Sequence, residues 1–174
     1  MQPSFCFITG KSYKMNNYGL IRTAAAVPVV RVADTKYNTG EICRMIRDAY
    51  DSKASLVVFP ELCITGATCG DLYRQSMLAK GAEEGVKEIL ASSVGKQAAI
   101  VVGAPVPYAG HLYNCSIVIY DGCIKGIVPK IYLSDTDRRT FASGSDFLNA
   151  GTGCDIRYAG QTCMISPALQ FKTG

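Results

Sequence analysis

A chain of 174 residues is short for two domains and long enough to bury one real core. Hydrophobic residues at 48% exclude a disordered chain, and a net charge of +4, scattered rather than drawn into a stripe interleaved with aromatics, argues against nucleic-acid binding. No apolar run approaches the roughly 18 residues that cross a bilayer, and the apolar start SFCFITG lacks the basic region and cleavage site of a secretory signal.

Residues 1–17 are irregular in pattern and are expected to form a poorly ordered tail. Within them Met15, opening MNNYGLIRTAAAV, looks a more natural start than Met1. Leu20 to Val27 reads as the first strand. Asn38 or Thr39 then caps a helix, with Glu41 in its first turn and one apolar face made by Ile42, Met45, Ile46 and Ala49. Ser55 to Phe59 reads as a second strand, and its continuous LVVF predicts burial on both faces. Leu72 to Ser92 carries Leu78, Ala82, Val86, Ile89 and Leu90 at helical spacing. Ala98 to Val106 is a third strand, and Leu112 to Tyr120 with Cys123 to Val128 forms a hairpin turning at Asp121-Gly122. This order predicts an α/β domain whose sheet begins with crossover units and continues with antiparallel strands. Beyond Lys130 the text is polar and glycine-rich, with short apolar pieces around Ile156 and Met164. The ending LQFKTG carries no helix cap, so the fold is expected to be cut short.

Eight cysteines occur, at 6, 43, 63, 69, 115, 123, 154 and 163. Several fall inside strand-like or helical runs, as small core hydrophobes do, and free thiols are the default for such an intracellular α/β domain. With no C-x-x-C pair and the single histidine, His111, behind Gly110 in a loop, a zinc site is not expected.

Chemistry gathers at two positions. Glu61 follows Pro60 at the C-terminal edge of a strand, where active sites of α/β folds collect. Lys130 stands at the end of the hairpin's second strand, in IVPKIYL, where it offers a fixed positive charge to a developing oxyanion. A carboxylate and an ammonium sharing one cavity make an acid/base and electrostatic pair, and amide hydrolysis would add a thiol nucleophile. Spacing alone leaves the bland readings open: a glutamate at a strand end is commonly a solvated edge residue, and a lysine after proline is commonly surface.

PELCITGATCGDL resembles the glutamate motif of the nitrilase superfamily, and more narrowly that of the glutaminase half of glutamine-dependent NAD synthetases. YGLIRTAAAVPVVRVADTKYN resembles that family's opening strand and loop, LYNCSIVIYDGCIKGIVPKIYL its lysine hairpin, and FASGSDF the segment downstream. The resemblance covers residues 18–174. It implies a nitrilase-like α-β-β-α sandwich with mixed sheets, C-terminally incomplete, and a partial carbon-nitrogen hydrolase domain behind the 1–17 tail. It further implies a Glu-Lys-Cys amidase in which Glu61 is the general base, Lys130 stabilises the tetrahedral intermediate, and a cysteine attacks the side-chain amide of glutamine. The ammonia would pass to a synthetase domain that amidates nicotinic acid adenine dinucleotide. ATP and magnesium are expected only in that domain, which this chain lacks, since no S-G-G-x-D-S-like phosphate loop occurs. A cytoplasmic homo-oligomer acting on glutamine, with neither nucleic acid nor membrane as partner, is the corresponding expectation.

The sequence departs from the family at the nucleophile. No G-x-E-I-C-E-D-L-W-like string exists. Cys163 follows Lys130 in the right order, but its surroundings, GQTCMISPALQF, match a segment ahead of the nucleophile strand, so a structural thiol is the stronger reading. Cys63 and Cys69 fit packing. After Lys130 the loop YLSDTDRRTF is shortened: Thr136 aligns with a substrate-side tyrosine, and the second family glutamate is left without a clear counterpart, Asp137 being only a possible substitute. Loss of these groups would loosen the pocket around the lysine. The chain alone is therefore expected to hydrolyse little or no glutamine. The competing readings are a non-catalytic truncated or decayed module of the same fold and another nitrilase-superfamily amidase.

Overall fold

A computed structural model describes residues 5–8, 20–149 and 153–173. Along the chain run β1 (Phe5–Ile8), β2 (Thr23–Ala25), α1 (Thr35–Asp51), β3 (Leu56–Val58), α2 (Ser76–Ser93), β4 (Ala99–Tyr108), β5 (His111–Tyr120) and β6 (Cys123–Pro129). Then follow α3 (Ser145–Asn149), β7 (Cys154–Tyr158), β8 (Gln161–Ile165) and β9 (Gln170–Thr173). Short 3-10 turns lie at Gly70–Arg74 and Asp137–Arg139.

One sheet orders its strands β2-β3-β4-β5-β6-β8-β7. β2, β3 and β4 run parallel, joined through α1 and α2, while β4, β5 and β6 form an antiparallel meander. β8 then joins β6 in parallel and pairs antiparallel with β7. This is the predicted mixed α/β architecture, and the described residues supply one helix layer and one mixed sheet of the expected sandwich. Within the tail expected over 1–17, β1 pairs in parallel with β9; the rest of that segment, Met15 included, lies outside the described residues. No helix among the described residues is long and apolar enough to cross a membrane.

The helices lie on the sheet because their apolar stripes match it. Ile42 and Ile46 of α1 and Val86 and Ile89 of α2 are buried in one cluster with Ile100 and Val102 of β4, Ile117 of β5, Ile127 of β6 and Ile165 of β8. Each such side chain contributes roughly 1.5–3 kcal/mol of transfer free energy. Only one face of β3 is covered in this way: Val57 and Phe59 are buried, but Val58 is 41% exposed, so LVVF is not enclosed on both sides as its apolar run predicts.

Three local expectations are corrected. The cap of α1 is Asp34, whose carboxylate accepts from the Tyr37 amide at 3.1 Å. Asn38 and Thr39 lie fully buried inside the helix, and Glu41 falls beyond its first turn. The Asn38 side chain instead bridges two loops, donating to the carbonyls of Arg31 at 2.8 Å and Ile64 at 3.0 Å and accepting from the Arg31 amide at 2.7 Å. The helix expected from Leu72 is broken at Gln75, whose extended backbone (ψ 123°) separates the 3-10 turn from α2.

Turns set the register of the meander. Asp121 and Gly122 both take positive φ (48° and 73°), the two-residue geometry that matches the strand twist. Ala109-Gly110 between β4 and β5, and Ala159-Gly160 between β7 and β8, turn in the same way.

Candidate active site

Glu61 stands on a tight turn at the C-terminal end of β3. Phe59 still pairs with the sheet, its amide donating to the Val101 carbonyl at 2.9 Å. The chain then folds back, with Leu62 at φ 53° and the Gly66 amide donating to the Leu62 carbonyl at 2.7 Å. Gly103 of β4 lies directly under this turn. A Cβ there would strike the Leu62 nitrogen, the Pro60 oxygen at 2.7 Å and the Glu61 carbonyl carbon at 2.9 Å.

The residues after the glutamate hold that turn in shape. Thr65 is fully buried, and its hydroxyl lies 3.3 Å from both the Leu62 carbonyl and the Tyr73 hydroxyl. Tyr73 donates to the Gly66 carbonyl at 2.6 Å, and the Cys69 thiol donates to the Thr65 carbonyl at 3.1 Å. The string ITGATCGDLY thus bonds largely to itself and presents Glu61 from a rigid platform.

Lys130 comes from the end of β6. Its amide donates to the Asn114 carbonyl at 2.8 Å, and its carbonyl accepts from Gly144 at 2.8 Å. Gly144, in FASGSDF, sits so close to Pro129 that a Cβ would fall 2.8 Å from the Pro129 oxygen. The backbone of Lys130 is therefore clamped from both sides.

The two predicted side chains meet. Lys130 Nζ donates to Glu61 Oε1 at 2.8 Å and to Asp137 Oδ2 at 3.0 Å. The Asn114 side-chain amide donates to the same Glu61 oxygen. Asp137 is held in turn by the Ser134 amide at 3.2 Å. Asp137, the residue raised as a substitute for the second carboxylate, thus stands against the lysine. The 3-10 turn at Asp137–Arg139 brings Asp137 back onto the lysine, so the shortened loop does not leave that amine loose. Asn114 carried no sequence signal beyond its place in LYNCS. Thr136, which aligns with the substrate-side tyrosine, is exposed at the start of the same turn.

Electrostatics follow from these contacts. Hydrogen bonds to Glu61 and Asp137 raise the pKa of Lys130 above its ordinary value of 10.5. For Asp137 burial pushes upward, but the bonds from Lys130 and Ser134 outweigh it and the carboxyl ends below its ordinary value. The lysine is 34% exposed and the glutamate 52%, so the cluster opens to solvent on one side.

A cleft of about 310 Å³ adjoins the pair, lined among others by Phe59, Glu61, Gly103, Asn114, Cys115 and Lys130. Cys115 is 2% exposed, and burial drives its thiol far above the ordinary range. Cys163 lies in β8 opposite Ile156, packed in the core with its pKa pushed up to about 11 by burial. Cys63 is pushed up to about 11 by burial and donates to the Gly103 carbonyl at 3.6 Å. The seven cysteines from Cys43 to Cys163 are free thiols. Among the described residues no three His, Cys, Asp or Glu side chains cluster as a metal would require.

Comparison with known proteins places the chain among relatives of one family. The carbon-nitrogen hydrolase profile matches residues 22–152. The chain is 32% identical over 163 residues to the glutamine-dependent NAD(+) synthetase of Mycobacterium bovis, covering 91% of this chain and 23% of that protein. The crystal structure of a glutamine-dependent NAD(+) synthetase from Cytophaga hutchinsonii superposes with a TM-score of 0.75 at 27% identity, over 84% of this chain and 25% of that one. An amidase from Nesterenkonia sp. shares the fold at a TM-score of 0.66 and 17% identity, over 84% of this chain and 54% of that one. The chain thus spans about a quarter of the length of the NAD synthetases it matches. A carbon-nitrogen hydrolase profile that matches most of the chain makes this polypeptide a member of the carbon-nitrogen hydrolase family.

Proposed function

We propose that this chain carries the base and the lysine of a glutamine amidohydrolase that feeds ammonia to an NAD synthetase. The observation that supports this reading is the 2.8 Å contact between Lys130 and Glu61 beside a cleft. Both donors to Glu61 use Oε1, and among the described residues Oε2 has no partner. That oxygen is the one to take a proton from an approaching thiol.

In the proposed reaction Glu61 accepts the thiol proton and the thiolate attacks the glutamine side-chain carbonyl carbon. Lys130 steadies the negative oxygen so formed. Collapse of the intermediate breaks the C–N bond, Glu61 returns the proton to the leaving nitrogen, and ammonia departs from a glutamyl thioester. Water, deprotonated by the same carboxylate, then releases glutamate and restores the thiol. Asn114 and Asp137 hold the acid and the amine in register. ATP and magnesium belong to the synthetase step, in which ammonia amidates nicotinic acid adenine dinucleotide, and not to these residues.

Among the described residues no exposed thiol lines the cleft beside Glu61. Cys115 lines the cleft but is buried and protonated, and Cys163 is a core thiol. We therefore expect the purified chain to release no ammonia from glutamine above background. Turnover abolished by Cys163→Ala or Cys115→Ala would overturn that assignment. Substrate class is tested separately by following the Lys130 side-chain resonance during titration. Glutamine should shift it saturably and acetamide should not; equal responses would favour an amidase for another small amide. Among the described residues the one thiol lining the cleft, Cys115, is buried, and this favours a second reading, a non-catalytic module of the same fold, which predicts no response to either amide.

A further inference from the structure

The geometry points to a second binding site, for a small phosphate-bearing molecule, in a cleft of about 750 Å³ between the start of α2, the β4–β5 turn and residues 138–142. It shares no lining residue with the cleft beside Glu61 and Lys130, and it stands independently of the glutaminase reading. Its walls carry Arg74, Lys80, Arg138 and Arg139 against one carboxylate, Glu83. Four of the chain's eighteen lysines and arginines thus meet one of its fourteen acids, a local excess of positive charge that a neutral or cationic ligand would not use.

These cations are available. Among the described residues neither Lys80, Arg138 nor Arg139 pairs with a carboxylate. Arg138 uses its Nε on the Leu133 carbonyl at 3.3 Å, and among the described residues its terminal nitrogens have no partner. Arg74 reaches Asp71 only at 3.8 Å, with both side chains exposed. Glu83 is occupied as well, accepting from the Ala159 amide at 3.0 Å. Paired arginine forks match phosphate oxygens better than a lone carboxylate's two atoms demand.

The rest of the lining mixes polar side chains, Gln75, Ser76, His111 and Thr140, with apolar ones. Tyr73 and Phe141, packed edge to face with ring centroids 5.0 Å apart, both contribute to its lining. Both rings are largely buried, 6% exposed each, so the cationic rim rather than stacking would hold a phosphorylated molecule, and the volume falls within the range of small-molecule sites, about 300–1,000 Å³.

The test is titration of the purified chain with inorganic pyrophosphate and with AMP, read by backbone amide shifts. Both probes should give saturable shifts confined to residues 74–80, 110–112 and 138–142. The double variant Arg138→Ala/Arg139→Ala, which removes two exposed side chains, should bind AMP about tenfold more weakly or worse. Arg44→Ala, a charge removed from the exposed face of α1, should bind as the parent does. Unsaturable shifts, equal loss in both variants, or saturation by polyglutamate alone would overturn the proposal.

Discussion

The Asn114 amide and the Lys130 ammonium donate to one and the same oxygen of Glu61. Lys130 is also the donor to Asp137, so a single amine balances two carboxylates. Lys130→Met removes that balance and leaves two negative groups facing each other. Because the pair is partly exposed, solvent screening keeps the expected cost to about 1 kcal/mol. Urea denaturation measures it, and Lys130→Arg should recover part of the loss. An unchanged midpoint for the methionine variant would mean that the cluster adds nothing to stability.

The same cluster fixes a pH window. Asp137 has a lowered pKa, so its contribution is present above its ordinary value of 3.8 and is lost as pH falls through the lower folded value. Lys130 has a raised pKa, so its contribution is complete below 10.5 and is lost as pH rises through the higher folded value. The penalty of Lys130→Met should therefore be alike at about pH 7 and about pH 9 and should shrink at about pH 2. A penalty that peaks in acid would contradict these signs.

Gly103→Ala tests the platform. The new methyl would meet backbone atoms of Pro60, Glu61 and Leu62, none of which can swing aside as a side chain does. The expected loss is about 2 kcal/mol, with Glu61 displaced from Lys130. The second effect separates this from ordinary crowding: the pKa of Lys130, followed by side-chain NMR, should fall back toward its ordinary value.

Thiol labelling tests the assignment of the cysteines. Cys123 is exposed and Cys154 half-buried, while Cys63, Cys115 and Cys163 are buried. Iodoacetamide should label Cys123 first among the described cysteines, and Cys63, Cys115 and Cys163 only after unfolding, as read by peptide mass mapping. Faster labelling at Cys115 or Cys163 would restore a nucleophile candidate to this chain.

Much of this was legible in the sequence where pattern and physics coincide. The stripes of α1 and α2, the buried β4 and β5 and the Asp121-Gly122 turn all follow from spacing and turn chemistry. Ala109-Gly110 and Ala159-Gly160 adopt the same turn but escape notice, because alanine is a poor advertisement for positive φ. Glu61 and Lys130 were found through motifs. Asp137 and Asn114 were not assigned, since their roles arise from a loop folding back and from two adjacent strands. Asn38 misled as a cap because its side chain serves tertiary bridges rather than its own helix.

The separation of 69 residues between Glu61 and Lys130 has a kinetic consequence. β4, β5 and β6 close through two-residue turns, whereas β3 reaches β4 only after α2 has been threaded between them. Short-range closure is the faster event, so the meander bearing Lys130 should acquire protection from hydrogen exchange before the parallel segment bearing Glu61. Pulse labelling during refolding would read this in the amides of Ile117 and Phe59. On this order the acid should dock onto an amine already held by a closed ribbon, and the cleft should form after the meander.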